Sequence, residues 1–361
     1  MKIKQFILDI VLIIINLFVH CCKIKKNKIT IVSLESKDLE SDLLLIYNQI
    51  KDKYDVHTVT MLFNQSNLWT NFLYFLNTIK QIYHINTSKI VIINNNNYVI
   101  SKYKRDGVQV IQIWHASGAI KKFGNSLDRK YKIQNYDVVL APGKNWIEPY
   151  QEAFNPKKIE LLGMPRLDCL YELNFKNKAI HYLKQEFPQL INKKVFLYAP
   201  TFRGNIYEGI QALDLDLKKL LDELDEDIMI LCKLHPLLKN HNFINHPKLI
   251  QVNDYNLYDL FMISDGLISD YSSIVFDYSL LEKPIIFYVP DLESYQEKIG
   301  CYIDISTISP YVCKNIKELI ICLKDNLQYH PIDKDYFEYR DNQNTNRVIK
   351  LIDKMIKDET I

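Results

Sequence analysis

The sequence predicts an α/β protein built from two open parallel sheets, each covered by helices, and three observations carry that prediction. Short β-branched runs alternate with amphipathic stretches from Lys28 onward, the pattern of strand–helix–strand crossovers. The alternation comes in two series, with a polar, helix-forming stretch at 174–192 between them. At 361 residues the chain also exceeds the roughly 250 to 300 residues at which single cores stop growing.

The first element is an apolar run at 6–19, interrupted only by Asp9 and Asn16, with Lys2 and Lys4 before it and Lys23, Lys25, Lys26 and Lys28 after it. As a helix it spans roughly 20 Å, short of the ~30 Å hydrocarbon core, so a full crossing is not expected. His20, Cys21 and Cys22 do not supply the small residues of a signal-peptide cleavage site. Residues 1–27 are therefore expected to form a membrane-associated helix, in plane or partly inserted, whose lysines meet anionic headgroups on the cytoplasmic face. The alternative is a buried terminal helix of the first domain.

The first domain is expected over 28–190. Its strands are read at 29–33, 56–61, 89–93, 108–113, 138–140 and 159–162, with amphipathic helices at 39–53 and 67–83 and a polar turn at 94–97. The second domain, 191–335, has strands at 195–198, 228–234, 249–252, 266–269 and 285–288. A closing helix at 341–357, within a C-terminal segment 336–361, is expected to pack back toward the first domain, with Arg347 a candidate site residue. Two open sheets facing each other across a cleft place ligands at the carboxyl ends of their strands.

Composition narrows the function. A net charge of +2 gives no bulk field for nucleic acid. The seven cysteines are scattered, odd in number and lack a C-x-x-C pair, so they read as reduced thiols rather than a disulfide frame or zinc site. None of the nine histidines shows metalloprotease-type ligand spacing, so no resident metal is predicted.

The chemistry-bearing residues cluster after the strands. Asp270, Ser272 and Ser273 follow the strand at 266–269 and supply N-cap chemistry for a helix running to about Glu282, an arrangement whose free N–H groups and dipole favour an anion. The bland reading is a capped helix and nothing more. His115 follows the strand at 108–113, and histidine is the side chain that exchanges protons near neutrality; it serves as a base or is simply bonded within its loop. His235, before Pro236, stands at a comparable strand end. Arg203, two residues after Thr201, offers a planar fork for phosphate oxygens or is an ordinary surface arginine. Arg166 contacts a phosphate or pairs with Asp168. Lys121 and Lys122 steer an anion or form a solvated face.

Five segments, 112–124 (QIWHASGAIKKFG), 162–168 (LGMPRLD), 197–203 (LYAPTFR), 233–236 (KLHP) and 268–295 (ISDYSSIVFDYSLLEKPIIFYVPDLESY), stand in an order and spacing that resemble the CDP-glycerol glycerophosphotransferase family, the TagB/TagF-like enzymes of teichoic-acid synthesis. The resemblance covers roughly 28–352. It implies a GT-B type fold of two Rossmann-like domains, with the nucleotide on the second and the acceptor on the first. It implies His115 as the catalytic base, although WHASG stands here where family members often read WHGTP.

The implied reaction is attack of an acceptor hydroxyl on the β-phosphorus of CDP-glycerol or another CDP-polyol, with CMP leaving. Phosphate charge would be balanced by Ser272, Ser273, Arg203 and His235. Asp270 is expected to cap and shape the site, Asp277 to meet the nucleotide or order the site, and Arg166 and Lys121 to meet the anionic acceptor. Mg²⁺ would enter only with the diphosphate. The acceptor would be a lipid-linked saccharide or polyol-phosphate chain, consistent with a peripheral membrane location. Two other readings stay open: a GT-B glycosyltransferase or epimerase using a UDP-sugar, and a non-catalytic polymer-binding relative.

Overall fold

The computed structural model describes residues 2–62, 67–205, 209–211, 213, 215–234, 238 and 244–358. The chain divides into two compact units, one formed by Met1–His115, Phe123–Asp168 and Phe337–Ile361, the other by Ala116–Lys122 and Cys169–Tyr336. The division falls after Asp168 rather than near residue 190, and the C-terminal segment belongs to the first unit.

The first unit opens with α1 (Lys2–His20), followed by β1 (Lys25–Ser33), α2 (Ser41–Ile50), β2 (Asp55–Thr60), α3 (Leu68–Asn86) and β3 (Ser88–Ile93). It continues through α4 (Tyr98–Tyr103), β4 (Gln109–Ile113), β5 (Val138–Ala141), α5 (Ile147–Phe154) and β6 (Lys158–Leu161). The six strands form one wholly parallel sheet in the order β2-β1-β3-β4-β5-β6. The central strands are buried on both faces, as the unbroken runs Ile90 to Ile93 and Val138 to Ala141 require. From β1 the chain moves outward to β2 and returns to β3 on the opposite side, so the order reverses between β1 and β3.

The second unit holds α6 (Leu173–Glu186), β7 (Lys194–Tyr198), the antiparallel hairpin β8 (Arg203–Asn205) and β9 (Gly209–Gln211), α7 (Leu217–Glu223), β10 (Ile228–Cys232) and β11 (Leu249–Gln251). Then come α8 (Leu257–Ile263), β12 (Gly266–Ser269), α9 (Ile274–Ser279), β13 (Ile285–Tyr288), α10 (Leu292–Lys298), β14 (Val312–Cys313) and α11 (Ile316–Lys324). Its sheet is again parallel, in the order β11-β10-β7-β12-β13-β14, and reverses between β7 and β12. Phe196, Ile230, Ile268 and Ile286, all fully buried, form the spine of its core. The polar stretch expected to close the first domain is α6, which packs on α8 through buried Ala179 and Leu183.

The last helix, α12 (Asn344–Ile356), packs against α2 and β3 of the first unit. Asp168 fixes its start by accepting from Asn344 N (2.9 Å), Thr345 N (2.9 Å) and Thr345 Oγ1 (2.6 Å), the work of an N-cap done by a residue distant in sequence. Gly163, at φ +75°, leaves room for the same helix, since a Cβ there would land on the Asn344 side chain. Arg347 pairs with Asp341, donates to Asn344 Oδ1 (3.0 Å) and lies over the Tyr339 ring, bracing this helix start.

No described helix is long and apolar enough to cross a membrane. In α1 the two polar residues of the apolar run share one face, being seven residues apart. Asp9 accepts from Tyr98 Oη (2.6 Å) and Asn16 Oδ1 from Asn86 Nδ2 (3.0 Å), and buried Leu12 and Val19 lie along the same stripe. Ile10, Val11, Ile13, Ile14, Leu17 and Phe18 are left exposed.

Candidate functional site

Open α/β sheets bind ligands outside the carboxyl ends of their strands where the strand order reverses. In the second sheet that point lies between β7, which runs into 199–203, and β12, which runs into 270–273. The two loops are locked together at their roots: Ala199 N donates to Ile268 O (2.9 Å) and Ser269 Oγ to Ala199 O (2.7 Å). Just beyond, Asp270 is fully buried and accepts from Thr201 N, Thr201 Oγ1 and Arg203 Nη1, each at 2.8 Å.

Arg203 bridges two carboxylates. Its Nε and Nη2 donate to Asp291 at 2.7 and 3.2 Å, while Nη1 faces Asp270. The guanidinium sits 5.1 and 5.0 Å from the rings of Tyr271 and Tyr295, which stack on each other at 3.7 Å. Burial opposes its charge, but Asp291 and Asp270 together raise its pKa, so the cation is fixed. Burial pushes the Asp270 carboxyl up, and Arg203 and Thr201 pull it back. Asp291 is also pushed up by burial, yet its Arg203 bonds outweigh this and hold it below the ordinary carboxylate value.

Arg203 and Asp291 line two pockets. One, about 570 Å³, is bounded by Gln211, Leu213, Tyr288 and Lys314. The other, about 290 Å³, is bounded by Lys121, Phe202, Ser294 and Lys298. Lys121 is held by a backbone bridge to Cys301, and its Nζ stands 6.0 Å from the Phe202 ring. Burial lowers its pKa, against the pull of Asp270. It belongs to the neighbourhood of the Arg203 fork and is not part of a solvated face.

The helix start expected at the serines takes a different form. α9 covers only six residues, and no side chain of Ser273 caps it. Ser272 Oγ accepts from Ile274 N at 3.5 Å, the outer limit of a hydrogen bond. Asp270 does not cap this helix, because Thr201 and Arg203 occupy its carboxylate. The helix stops early because Glu282 turns to φ +55° and Pro284 disfavours helical backbone at Lys283. Asp277 is buried and accepts from Tyr258 Oη at 2.8 Å, tying α9 to α8. His235 lies outside the described residues; before it, Leu234 N donates to Asn253 Oδ1 (2.8 Å).

In the first unit the reversal lies between β1 and β3, and both neighbouring loops meet His115, which follows β4. His115 Nδ1 is 3.3 Å from Asn94 O, after β3, and 3.2 Å from Glu35 Oε1, after β1. Two acceptors at Nδ1 favour the tautomer with the proton there, which leaves the Nε2 lone pair to act as a base. The Trp114 ring lies 3.9 Å from the imidazole and stacks on Phe123 at 5.2 Å.

Arg166 supports this loop from behind. It is buried, forms an ion pair with Asp42, takes Asp42 Oδ1 with its own N–H (2.8 Å), and donates from Nη1 to Trp114 O (3.2 Å). Its partner is thus Asp42, while Asp168 caps α12, and its 5% exposure argues against a phosphate contact. Thr201, Arg203 and Asp270 are therefore brought together, with Lys121 beside them; Ser272, Ser273 and Asp277 follow on the same loop and helix; His115 and Arg166 are joined through Trp114. Sequence reasoning missed Glu35, Asp42, Tyr271 and Asp291. Glu35 had a signal, an acid one loop beyond the first strand, at the edge where ligands bind.

Among the described residues no three histidine, cysteine or acidic side chains converge to hold a metal ion. A sequence profile of the family described as CDP-Glycerol:Poly(glycerophosphate) glycerophosphotransferase matches residues 14–354. The chain is 31% identical to the teichoic acid ribitol-phosphate primase of Bacillus spizizenii, over 91% of each chain. It is 32% identical to the teichoic acid glycerol-phosphate primase of Bacillus subtilis, over 78% of this chain and 77% of that one. Among solved structures it resembles the wall teichoic acid polymerase TagF, with a TM-score of 0.72 at 21% identity over 99% of both chains. It also shares its fold with a putative UDP-N-acetylglucosamine 2-epimerase from Listeria monocytogenes, with a TM-score of 0.55 at 12% identity over 93% of this chain and 98% of that one.

Proposed function

Because the chain belongs to the CDP-glycerol:poly(glycerophosphate) glycerophosphotransferase family, we propose that it transfers glycerol phosphate or ribitol phosphate from the CDP-polyol to a hydroxyl of a teichoic-acid or related acceptor, releasing CMP. The observation that carries this reading is His115, held through Nδ1 by Glu35 and Asn94 O so that Nε2 takes the proton of the attacking hydroxyl. The oxygen attacks the β-phosphorus in line, the bond to the α–β bridging oxygen breaks, and CMP departs with that electron pair.

In the second unit, Ser272 and Ser273 offer hydroxyls to the diphosphate. The fixed Arg203 cation shapes the loops around them, and Lys121 supplies a further positive charge at its pocket. Both pockets share Arg203 and Asp291, so a charged donor would settle against a fork whose geometry is set before it arrives. Any Mg²⁺ comes with the diphosphate.

The acceptor is lipid-linked, and the protein works at the cytoplasmic face of the membrane as a peripheral enzyme. What supports this is the exposed face of α1, free of charge over Ile10, Val11, Ile13, Ile14, Leu17 and Phe18, together with exposed Trp69, Phe72, Leu73 and Leu76 on α3, the helix α1 packs against. Lys23, Lys25 and Lys26 follow α1 and add attraction to anionic headgroups. Wild-type protein is expected to co-sediment with anionic vesicles, and Ile13→Lys/Leu17→Lys to stay in the supernatant. Equal sedimentation of the two would remove α1 from the account.

The transfer itself is tested with a donor panel: CMP release from CDP-glycerol or CDP-ribitol with a lipid-linked saccharide is expected. Release of UDP from a UDP-sugar in place of CMP would favour the glycosyltransferase or epimerase reading.

A further inference from the structure

Four amide side chains at the carboxyl edge of the first sheet have hydrogen-bonding atoms left unused. Asn94, Asn95 and Asn96 form the loop that leaves β3, and each has a buried Oδ1 that meets no donor among the described residues. Gln112, on β4, is fully buried, and neither its Oε1 nor its Nε2 has a described partner. The register pairs Ile93 with Gln112, so the unused amide lies on the strand position beside the start of the asparagine loop. His115 follows three residues later and is itself bonded to Asn94 O. The next residue, Asn97, shows what a structural asparagine does here: it caps α4 through Ile100 N (2.9 Å) and donates to Gln81 (2.7 Å).

An unmade buried hydrogen bond costs about 1–3 kcal/mol, so several at one strand edge need a reason, and a ligand supplies it. The character of the unused atoms selects the ligand. Oδ1 of Asn94, Asn95 and Asn96 and Oε1 of Gln112 are acceptors, and Glu35 adds a carboxylate beside His115. A phosphodiester, which only accepts, would find one unused donor, Gln112 Nε2, against four unused acceptors and a carboxylate, and is disfavoured. Hydroxyl groups donate to such oxygens and can also accept from Gln112 Nε2.

We propose that Asn94, Asn95, Asn96 and Gln112 form a polyol subsite that receives the hydroxyl-rich end of the acceptor, a glycerol, ribitol or sugar terminus, and presents one hydroxyl to His115. The acceptor's phosphates stay outside this subsite. The inference rests on the transferase reading for its role in turnover, and on the unused amide atoms for its existence.

Gln112→Leu separates a ligand role from a structural one, because replacing an unpartnered amide by an apolar side chain of similar size costs a fold little or stabilises it. The KM for a lipid-linked saccharide is expected to rise at least about tenfold, one hydrogen bond's worth, with the KM for the CDP-polyol donor unchanged and the melting temperature not lowered. An unchanged acceptor KM, or a lowered melting temperature, would overturn the proposal. Independently of turnover, the side-chain amide NMR signals of Asn94, Asn95, Asn96 and Gln112 in the wild-type protein should move on titration with glycerol and stay still with inorganic phosphate. Movement with phosphate alone, or with neither, would also overturn it. A wild-type protein that releases no CMP from either CDP-polyol would defeat the transferase reading, and the glycerol titration would still decide the subsite.

Discussion

Arg203 and Asp270 form a buried ion pair that locks two loops, and the proposed transfer would use the same fork. The carboxylate has no exposure and accepts three hydrogen bonds, so removing the guanidinium strands a charge where water does not reach it. Arg203→Ala is expected to destabilise the protein by about 3 kcal/mol or more, measured by denaturant unfolding. Arg203→Met/Asp270→Asn removes both charges and should recover much of that stability, while CMP release stays lost if the fork is needed for the donor. Recovery of both together would reduce the pair to a structural brace. In the proposed transfer Glu35 would act through His115: Glu35→Gln keeps the side chain's size and weakens its hold on Nδ1. About a tenfold fall in kcat is expected, with the donor KM unchanged, less than the 10²–10⁴ that loss of the acid–base group itself costs, because Glu35 only orients it. A matching rise in donor KM would point to a general disturbance of the site instead.

At the scale of elements, the parallel strands were legible because buried strands read as unbroken β-branched runs, and the observed bounds fall within a few residues of the expected ones. Very short elements were not: the β8–β9 hairpin and the two-residue β14 carry no periodicity. The helix after the serines came out at six residues because local capping signals said nothing of where the chain had to turn for β13. Arg166 is the clearest case at the site. The sequence offers it an acceptor phosphate or Asp168, two residues on, whereas its partner Asp42 lies 124 residues away, and only the sheet's topology brings the two together. Freed from Arg166, Asp168 holds α12. Asp168→Ala removes three accepted bonds from that helix start and is expected to cost about 1–2 kcal/mol, with faster hydrogen exchange over the first turn of α12. Unchanged exchange there would mean that Gly163 and the Arg347 brace hold the helix without the cap.

Over the whole molecule, two sheets of the same parallel design each reverse their strand order at a loop pair that carries polar side chains, and His115 is the last residue of one unit before Ala116–Lys122 joins the other. The first sheet also contains a buried lysine away from this edge. Lys28 Nζ donates to Thr87 Oγ1 (2.6 Å), and burial, helped by Lys25, lowers its pKa to about 8. The unfolded chain holds that proton up to about 10.4, so between these values the unfolded state binds more protons and stability rises with pH. Lys28→Met should be more stable at neutral pH and should lose the rise above pH 8, as read from urea unfolding at several pH values. A rise that persists in the variant would assign it to another group.

In the proposed transfer, His115 is the base that takes the proton of the acceptor hydroxyl. The most direct measurement is mass analysis of a lipid-linked saccharide incubated with CDP-glycerol or CDP-ribitol and either wild-type or His115→Ala protein. Wild-type protein should add one polyol phosphate unit per CMP released, and His115→Ala should be slower by about 10²–10⁴. Addition of a sugar without phosphorus, or full transfer by His115→Ala, would contradict it.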